Sequence, residues 1–148
     1  MPKFGLVSLK NLEGVSEQLV RLHQFVISFF DHSVDDGCRM WEEQVKNVAK
    51  GVSKTMESKH LPNSQGKCLA TDSMPYPRVE WKAVEKSLAA VKAIDPRLDL
   101  LRFYYFQGIM RGVAEAKGIK LRQGIDWDSD NAIHDQSFFD LPHNEVSK

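Results

Sequence analysis

The chain has 148 residues, enough for one domain with a real hydrophobic core, and we expect a single domain over residues 1–148. Hydrophobic residues make up 42% and charged residues 27%, a balance that excludes a disordered chain and a membrane-embedded one. Twenty basic and twenty acidic residues give no net charge, so no global field favours nucleic acid, and none is expected as a partner.

Residues 1–14 carry Leu6, Leu9 and Leu12 and are expected to form an arm packed on the body. The opening Met1-Pro2-Lys3-Phe4-Gly5 has no apolar export core, so synthesis in a cytoplasm is expected. In residues 15–30, Leu19, Leu22, Val26 and Phe29 recur at helical spacing, which predicts an amphipathic helix. Its apolar end, residues 25–30, is too short to span a bilayer. Val34 to Arg39 reads as a short strand entering a turn at Asp36-Gly37. Trp41 to Ala49 reads as a helix, with Glu42 and Glu43 in the first turn where the dipole favours anions. Residues 52–67 are polar and without apolar period, a long loop of the kind that is often functional. Cys68 to Asp72 reads as a buried strand stopped by Pro75 and Pro77.

Two helices are expected next. The first covers 79–94. The second starts near Pro96, ends at Gly118 and carries Leu98, Leu101, Tyr105, Ile109 and Gly112 on its apolar stripe. Ile119 to Arg122 reads as a strand, and a final segment runs from Phe138 to Val146. The predicted class is α+β, with helices packed on a small, mainly antiparallel sheet. Cys38 and Cys68 lie far apart and fit no CxxC pattern; we read them as reduced thiols in or near the core, with a disulfide or a metal role as the alternatives.

The chemistry gathers in two stretches. Ser58-Lys59-His60 and Asp72 flank the polar loop, and Asp140-Leu141-Pro142-His143 lies near the C-terminus. Together they supply two imidazoles and two carboxylates. That is the inventory of a catalytic zinc site with three ligands, an open position and a general base. On a regular strand residues 140 and 143 would face opposite ways, so the Leu-Pro step must turn the backbone if both serve one metal. Taken alone, these residues fit an ordinary turn equally well. His23 reads as a satisfied structural histidine, and His32 as a cation at a helix C-terminus. Asp126, Asp128 and Asp130 resemble the start of an EF-hand-type calcium loop, although Asn131 holds the usual glycine position and Ser137 the last one. A solvated turn is the other reading.

Several motifs in order resemble one family. Phe4-Gly5 to Ser8-Leu9, with Asn11-Leu12 and Gly14-Val15, is similar to its opening. Val34-Asp35-Asp36-Gly37-Cys38-Arg39 with Glu42-Glu43-Gln44, then Gly51-Val52-Ser53-Lys54-Thr55 to Ser58-Lys59-His60, resembles its central segment. Ala70-Thr71-Asp72, Gly124-Ile125-Asp126-Trp127 and Asp140-Leu141-Pro142-His143 resemble its later motifs. The family is that of the zinc D-alanyl-D-alanine carboxypeptidases and L-alanyl-D-glutamate endopeptidases, which includes single-domain bacteriophage endolysins. Eleven residues separate His60 from Asp72, more than is usual there, and Cys38, Met40, Arg122-Gln123 and Asn144 depart from the common pattern.

The resemblance implies zinc held by His60, Asp72 and His143, and Asp140 as the general base. It implies that Arg39 assists catalysis or holds a substrate carboxylate, that Ser58 binds substrate or orients His60, and that Asp126 and Trp127 shape the cleft. Calcium near Asp126, Asp128 and Asp130 remains a candidate regulator. The implied activity is hydrolysis of peptidoglycan stem peptides at the L-alanyl-D-glutamate bond by a phage lysis protein. That protein would be monomeric, not inserted in the membrane, and released through a holin-type pore. A D,D-carboxypeptidase or a non-catalytic, zinc-stabilised wall-binding protein are the alternatives.

Overall fold

A computed structural model describes residues 1–79 and 96–147. Three helices precede or interrupt the first strands: α1 (Leu6–Asn11), α2 (Glu17–Ile27) and α3 (Trp41–Ala49). The strands are β1 (His32–Asp36), β2 (Ala70–Pro75), β3 (Leu121–Gln123) and β4 (His143–Val146), and α4 (Pro96–Ala116) lies between β2 and β3. The strands form one antiparallel sheet in the order β1-β2-β4-β3. The α+β expectation holds. The helix expected over 79–94 falls outside the described residues beyond Val79.

Helix α2 starts where Ser16 caps it, its hydroxyl accepting the Leu19 N–H at 3.5 Å. Leu19, Leu22 and Val26 are fully buried, as their spacing requires, but Phe29 lies beyond the helix end and is exposed. Helix α3 has the boundaries its sequence predicts. The arm at 1–14 is a short helix. Strand β2 runs through Pro75 instead of stopping before it; Pro75 sits at the strand end against His32.

Helix α4 turns a different face inward than its leucine stripe suggested. Phe103, Phe106, Met110 and Ala114 are buried, whereas Leu101 and Tyr105 are exposed. The helix carries apolar residues around most of its circumference, so two stripes satisfy the helical period. The buried one is the stripe whose aromatic rings fill the space over the sheet, with Phe106 stacked on Phe30 at 5.4 Å.

Strand alternation then divides the sheet. Thr71 bonds His23 of α2, and Gln123 bonds Gln107 of α4, so these residues and Asn144 face the helices. Their neighbours Asp72, His143, Glu145 and Arg122 are left on the opposite face. Asp72 and His143 are thus carried by the two central strands, backed by the helical layer.

His23 and His32 form a buried pair beneath this sheet. His32 Nδ1–H donates to the Phe30 carbonyl (3.1 Å), His23 Nδ1–H donates to His32 Nε2 (3.1 Å), and the Thr71 hydroxyl donates to His23 Nε2 (2.9 Å). This is the assignment that uses every proton once with both rings neutral. Burial pushes the His23 imidazole well below its usual range, helped by His32, and burial brings His32 down to about 4. The reading of His32 as a helix-end cation is therefore corrected: it is a neutral residue of β1.

Candidate metal centre

Asp72 on β2 and His143 on β4 are direct cross-strand partners, which places their side chains side by side on one face. His60 reaches them from the polar loop. His60 Nε2 lies 3.3 Å from Asp72 Oδ1 and 3.3 Å from His143 Nδ1, and His143 Nδ1 lies 3.2 Å from Asp72 Oδ1. Ligands about 2.0–2.1 Å from a tetrahedral zinc stand about 3.3 Å from one another. The triangle has that size.

The other ring nitrogens explain why these three atoms converge. His60 Nδ1–H donates to the Gly37 carbonyl at 2.7 Å, so its Nε2 presents a lone pair. His143 Nε2–H donates to Glu145 Oε2 at 3.1 Å, so its Nδ1 does the same. In that tautomer two imidazole lone pairs and a carboxylate oxygen face one another, an arrangement a cation relieves. In the metal-free protein a proton on His143 takes that place, donated to Asp72 Oδ1. Burial alone would raise the Asp72 carboxyl, but hydrogen bonds from His143 and His60 hold it well below the usual carboxylate range. Burial alone would lower His143, but Asp72 and Glu145 outweigh it and raise it to about 9, with the Asp140 charge adding to the effect. These residues fit a metal ion by donor type, spacing and tautomer.

Arg39 is fixed beside the triangle. Its guanidinium contacts Asp36 Oδ2 at 2.5 Å, Gln44 Oε1 at 3.2 Å and Asp72 Oδ2 at 3.3 Å. Asp36 and Asp72 are register partners across β1 and β2, and two carboxylates placed opposite would repel without this bridge. Binding Oδ2 leaves Asp72 Oδ1 for a metal. Three of five N–H groups are used, so two remain for another acceptor.

Asp140 enters through the turn that the sequence required. The His143 N–H donates to the Asp140 carbonyl at 3.0 Å, closing a turn over Asp140-Leu141-Pro142-His143. Gly124 lies against it so closely that a Cβ there would stand 2.2 Å from the Asp140 carbonyl oxygen. Only glycine allows that approach. Ser58 Oγ accepts the His60 N–H at 3.2 Å and so orients the His60 segment. Trp127 tilts over His143, with centroids 5.2 Å apart, and anchors its indole N–H on the Phe138 carbonyl at 2.9 Å. Asp126 is buried elsewhere in its turn, accepting the Asn131 N–H at 3.2 Å and facing Arg111 at 3.8 Å, so its carboxylate shapes the acidic loop and not the ligand triangle.

The long excursion between His60 and Asp72 does not displace either residue. The Leu69 N–H donates to the Lys59 carbonyl at 2.8 Å, closing the base of the loop. Inside it, Asn63 accepts the N–H groups of Gln65 and Lys67 at 2.9 and 3.0 Å, and the extra residues form a self-contained turn.

The sequence profile of the family described as phage L-alanyl-D-glutamate peptidase matches residues 1–147. The chain belongs to that family. Among its relatives, the L-alanyl-D-glutamate peptidase of Escherichia phage T5 is 27% identical over 141 residues, spanning 90% of this chain and 88% of that protein. The crystal structure of the Serratia marcescens L-Ala D-Glu endopeptidase ChiX superposes with a TM-score of 0.63 at 22% identity, covering 98% of this chain and 90% of the other, and shares its fold.

In this phage L-alanyl-D-glutamate peptidase relative, several supporting residues escaped the sequence reading. Glu145 orients His143; its position two residues further along a strand, on the same face, was the available signal. Arg122 holds Glu145 through two contacts of 2.7 and 2.5 Å and lies over the Trp127 ring. Gln107 donates to the Leu141 carbonyl, and Asn144 Nδ2–H donates to the Pro142 carbonyl at 3.0 Å, so the Asp140 turn is held from below. Nothing local in the sequence marks either. The two cysteines, read as thiols, are joined as a disulfide. Their separation of 30 residues hid a pairing that the fold makes by setting the connector after β1 beside the start of β2.

Proposed function

We propose that the chain is a zinc-dependent peptidoglycan peptidase, one catalytic domain over residues 1–148, that hydrolyses the L-alanyl-D-glutamate bond of stem peptides as a phage endolysin. The observation that carries this reading is the convergence of three metal-donor atoms, from His60, Asp72 and His143, in a member of that peptidase family. Zinc held there supplies Lewis acidity, polarising a carbonyl and lowering the pKa of water to about 7. Asp140 takes the proton of the attacking water and returns it to the leaving amine. Arg39 keeps Asp72 oriented and offers its two remaining N–H groups to a substrate carboxylate, a task that suits the planar guanidinium. Trp127 walls the cleft beside His143, and Ser58 fixes the His60 segment.

The partner is the stem peptide of bacterial peptidoglycan, and the protein works as a monomer. Synthesis in the host cytoplasm and release through a holin-type pore bring it to the wall. No helix among the described residues is long and apolar enough to cross a membrane.

Calcium binding by Asp126, Asp128 and Asp130 is a second element of this reading. Asn131, at the glycine position of the loop, adopts φ +70°, the left-handed conformation that asparagine tolerates. Its N–H closes back on Asp126, and Asp126 Oδ1 is buried with no hydrogen-bond partner among the described residues. A protein stripped by chelator and given zinc alone should regain less activity than one given zinc and calcium; equal recovery would remove calcium.

Mass spectrometry of digested Gram-negative peptidoglycan tests the main reading. New amines on D-glutamate, with L-alanine left on the glycan, are expected. Release of terminal D-alanine alone would replace the endopeptidase by a carboxypeptidase, and an intact wall after treatment with folded, zinc-loaded protein would favour a binding protein.

A further inference from the structure

We propose that the Cys38–Cys68 disulfide is a positioning clamp for His60 and Arg39, so that thiol–disulfide exchange at this pair sets how firmly the metal centre is held. The inference rests on the metal reading above and extends it to two residues with no part in the chemistry itself.

The geometry is local to the ligand. Cys38 lies between Gly37, whose carbonyl accepts the His60 Nδ1–H at 2.7 Å, and Arg39, whose backbone N–H donates to the His60 carbonyl at 2.8 Å. On the other side of the loop base, Leu69 donates to the Lys59 carbonyl at 2.8 Å. Residues 37–39 and 68–69 therefore grip the His60 segment from two directions, and the disulfide joins the two grips, with Cα atoms 5.4 Å apart. Cys68 is itself anchored, its N–H donating to Gly14 and its carbonyl accepting from Ser16 at 3.0 and 2.9 Å. A shift of residues 37–39 would move two things together: the acceptor that sets the His60 tautomer, and the guanidinium that holds Asp72 Oδ2. The positioning acts through His60 and Asp72, not through contact with substrate.

Cys38 is only half-buried while Cys68 is fully buried, so exchange reaches the clamp at Cys38. The step is a thiol–disulfide exchange. The Cys38 thiolate attacks an external low-molecular-weight disulfide and releases one external thiol. The Cys68 thiol then displaces the second, closing the protein bond. Two protein thiols are oxidised and one external disulfide is reduced to two thiols. Reducing compartments hold such pairs open and oxidising ones close them.

The test compares oxidised wild type, wild type reduced with a phosphine that is then removed, and a double variant, Cys38→Ser with Cys68→Ala. In metal-free protein, NMR of the His60 imidazole should show a hydrogen-bonded Nδ1–H in the oxidised form and its loss to solvent exchange in the other two. Competition with a chelator should show zinc held at least tenfold more weakly in both, while far-UV circular dichroism reports an unchanged fold. Oxidised glutathione should restore the reduced wild type and leave the double variant unaffected. Unchanged zinc retention with an unchanged His60 signal, even with a lower melting temperature, would overturn the clamp and leave an ordinary covalent staple. Two free thiols persisting after oxidised glutathione would overturn it as well. An oxidised protein that takes up no zinc would sink the metal reading, and the His60 signal would still decide the clamp.

Discussion

Asp140 and Glu145 both favour a proton on His143, but they act on it in different ways. Asp140 reaches the site from a turn, near enough for its charge to favour a proton on His143, whereas Glu145 grips the far nitrogen of the same ring. Asp140→Asn keeps the turn and the volume but removes the proton acceptor. Turnover should fall by about 10²–10⁴-fold with zinc content unchanged, measured by metal analysis beside a peptidoglycan assay. Full turnover would take Asp140 out of the base role. Glu145→Gln removes the charge behind the ligand instead. Zinc affinity should drop by about 10–100-fold in a chelator competition, with Asp140 chemistry intact once the metal is saturated. That His60, Asp72 and His143 would come together was legible in the sequence because imidazole and carboxylate have few bland uses at the ends of a polar loop. Glu145 was not, since an acidic residue near a C-terminus has many.

At the scale of elements, a polar seam couples α4 to the Asp140 turn. Gln123 Nε2–H donates to Gln107 Oε1 at 2.6 Å and to Asn144 Oδ1 at 3.1 Å, and Asn144 Nδ2–H reaches Ser73 and Pro142. Asn144 is fully buried. Asn144→Leu would strip partners from Gln123, Ser73 and the Pro142 carbonyl, and a buried donor left unsatisfied costs about 1–3 kcal/mol. Urea unfolding should show that loss, together with slower turnover from a loosened Asp140 turn; stability equal to wild type would mean the seam finds other partners. This seam also marks the limit of the sequence reading. Helix α3 could be placed to the residue because its period and first-turn glutamates are local. The inward face of α4, the seam and the disulfide depend on what lies across the fold, and Phe103 and Phe106 could not be preferred over Leu101 and Tyr105 from spacing alone.

For the whole molecule, acidity should be the main chemical threat. The His23–His32 pair is neutral in the fold and surrounded by groups whose protons are already committed. An unfolded chain takes up protons near pH 6.5, whereas folded His32 does so at about 4 and folded His23 is also held well below its usual range. Between those values the unfolded state binds more protons, so stability rises with pH. The contribution is fully present above about pH 6.5 and is lost as the pH falls toward 4. Unfolding free energy by urea should be about 2–3 kcal/mol lower at pH 4.5 than at pH 7 from His32 alone. A flat profile would show that the pair accepts a proton without leaving the fold.

The closed base of the loop between Lys59 and Leu69 has a consequence for change over time. Because a backbone bond seals it and Asn63 organises its tip, chain length there is uncoupled from the separation of His60 and Asp72. Doubling such a loop costs about 0.6 kcal/mol in closure entropy. A flexible segment spliced between Ser64 and Gln65 should therefore leave zinc affinity and turnover nearly as they are, which calorimetry and the wall-digestion assay would register. The excursion is a port: a place where this small enzyme can acquire a wall-targeting peptide, by evolution or by design, without rebuilding its candidate metal centre.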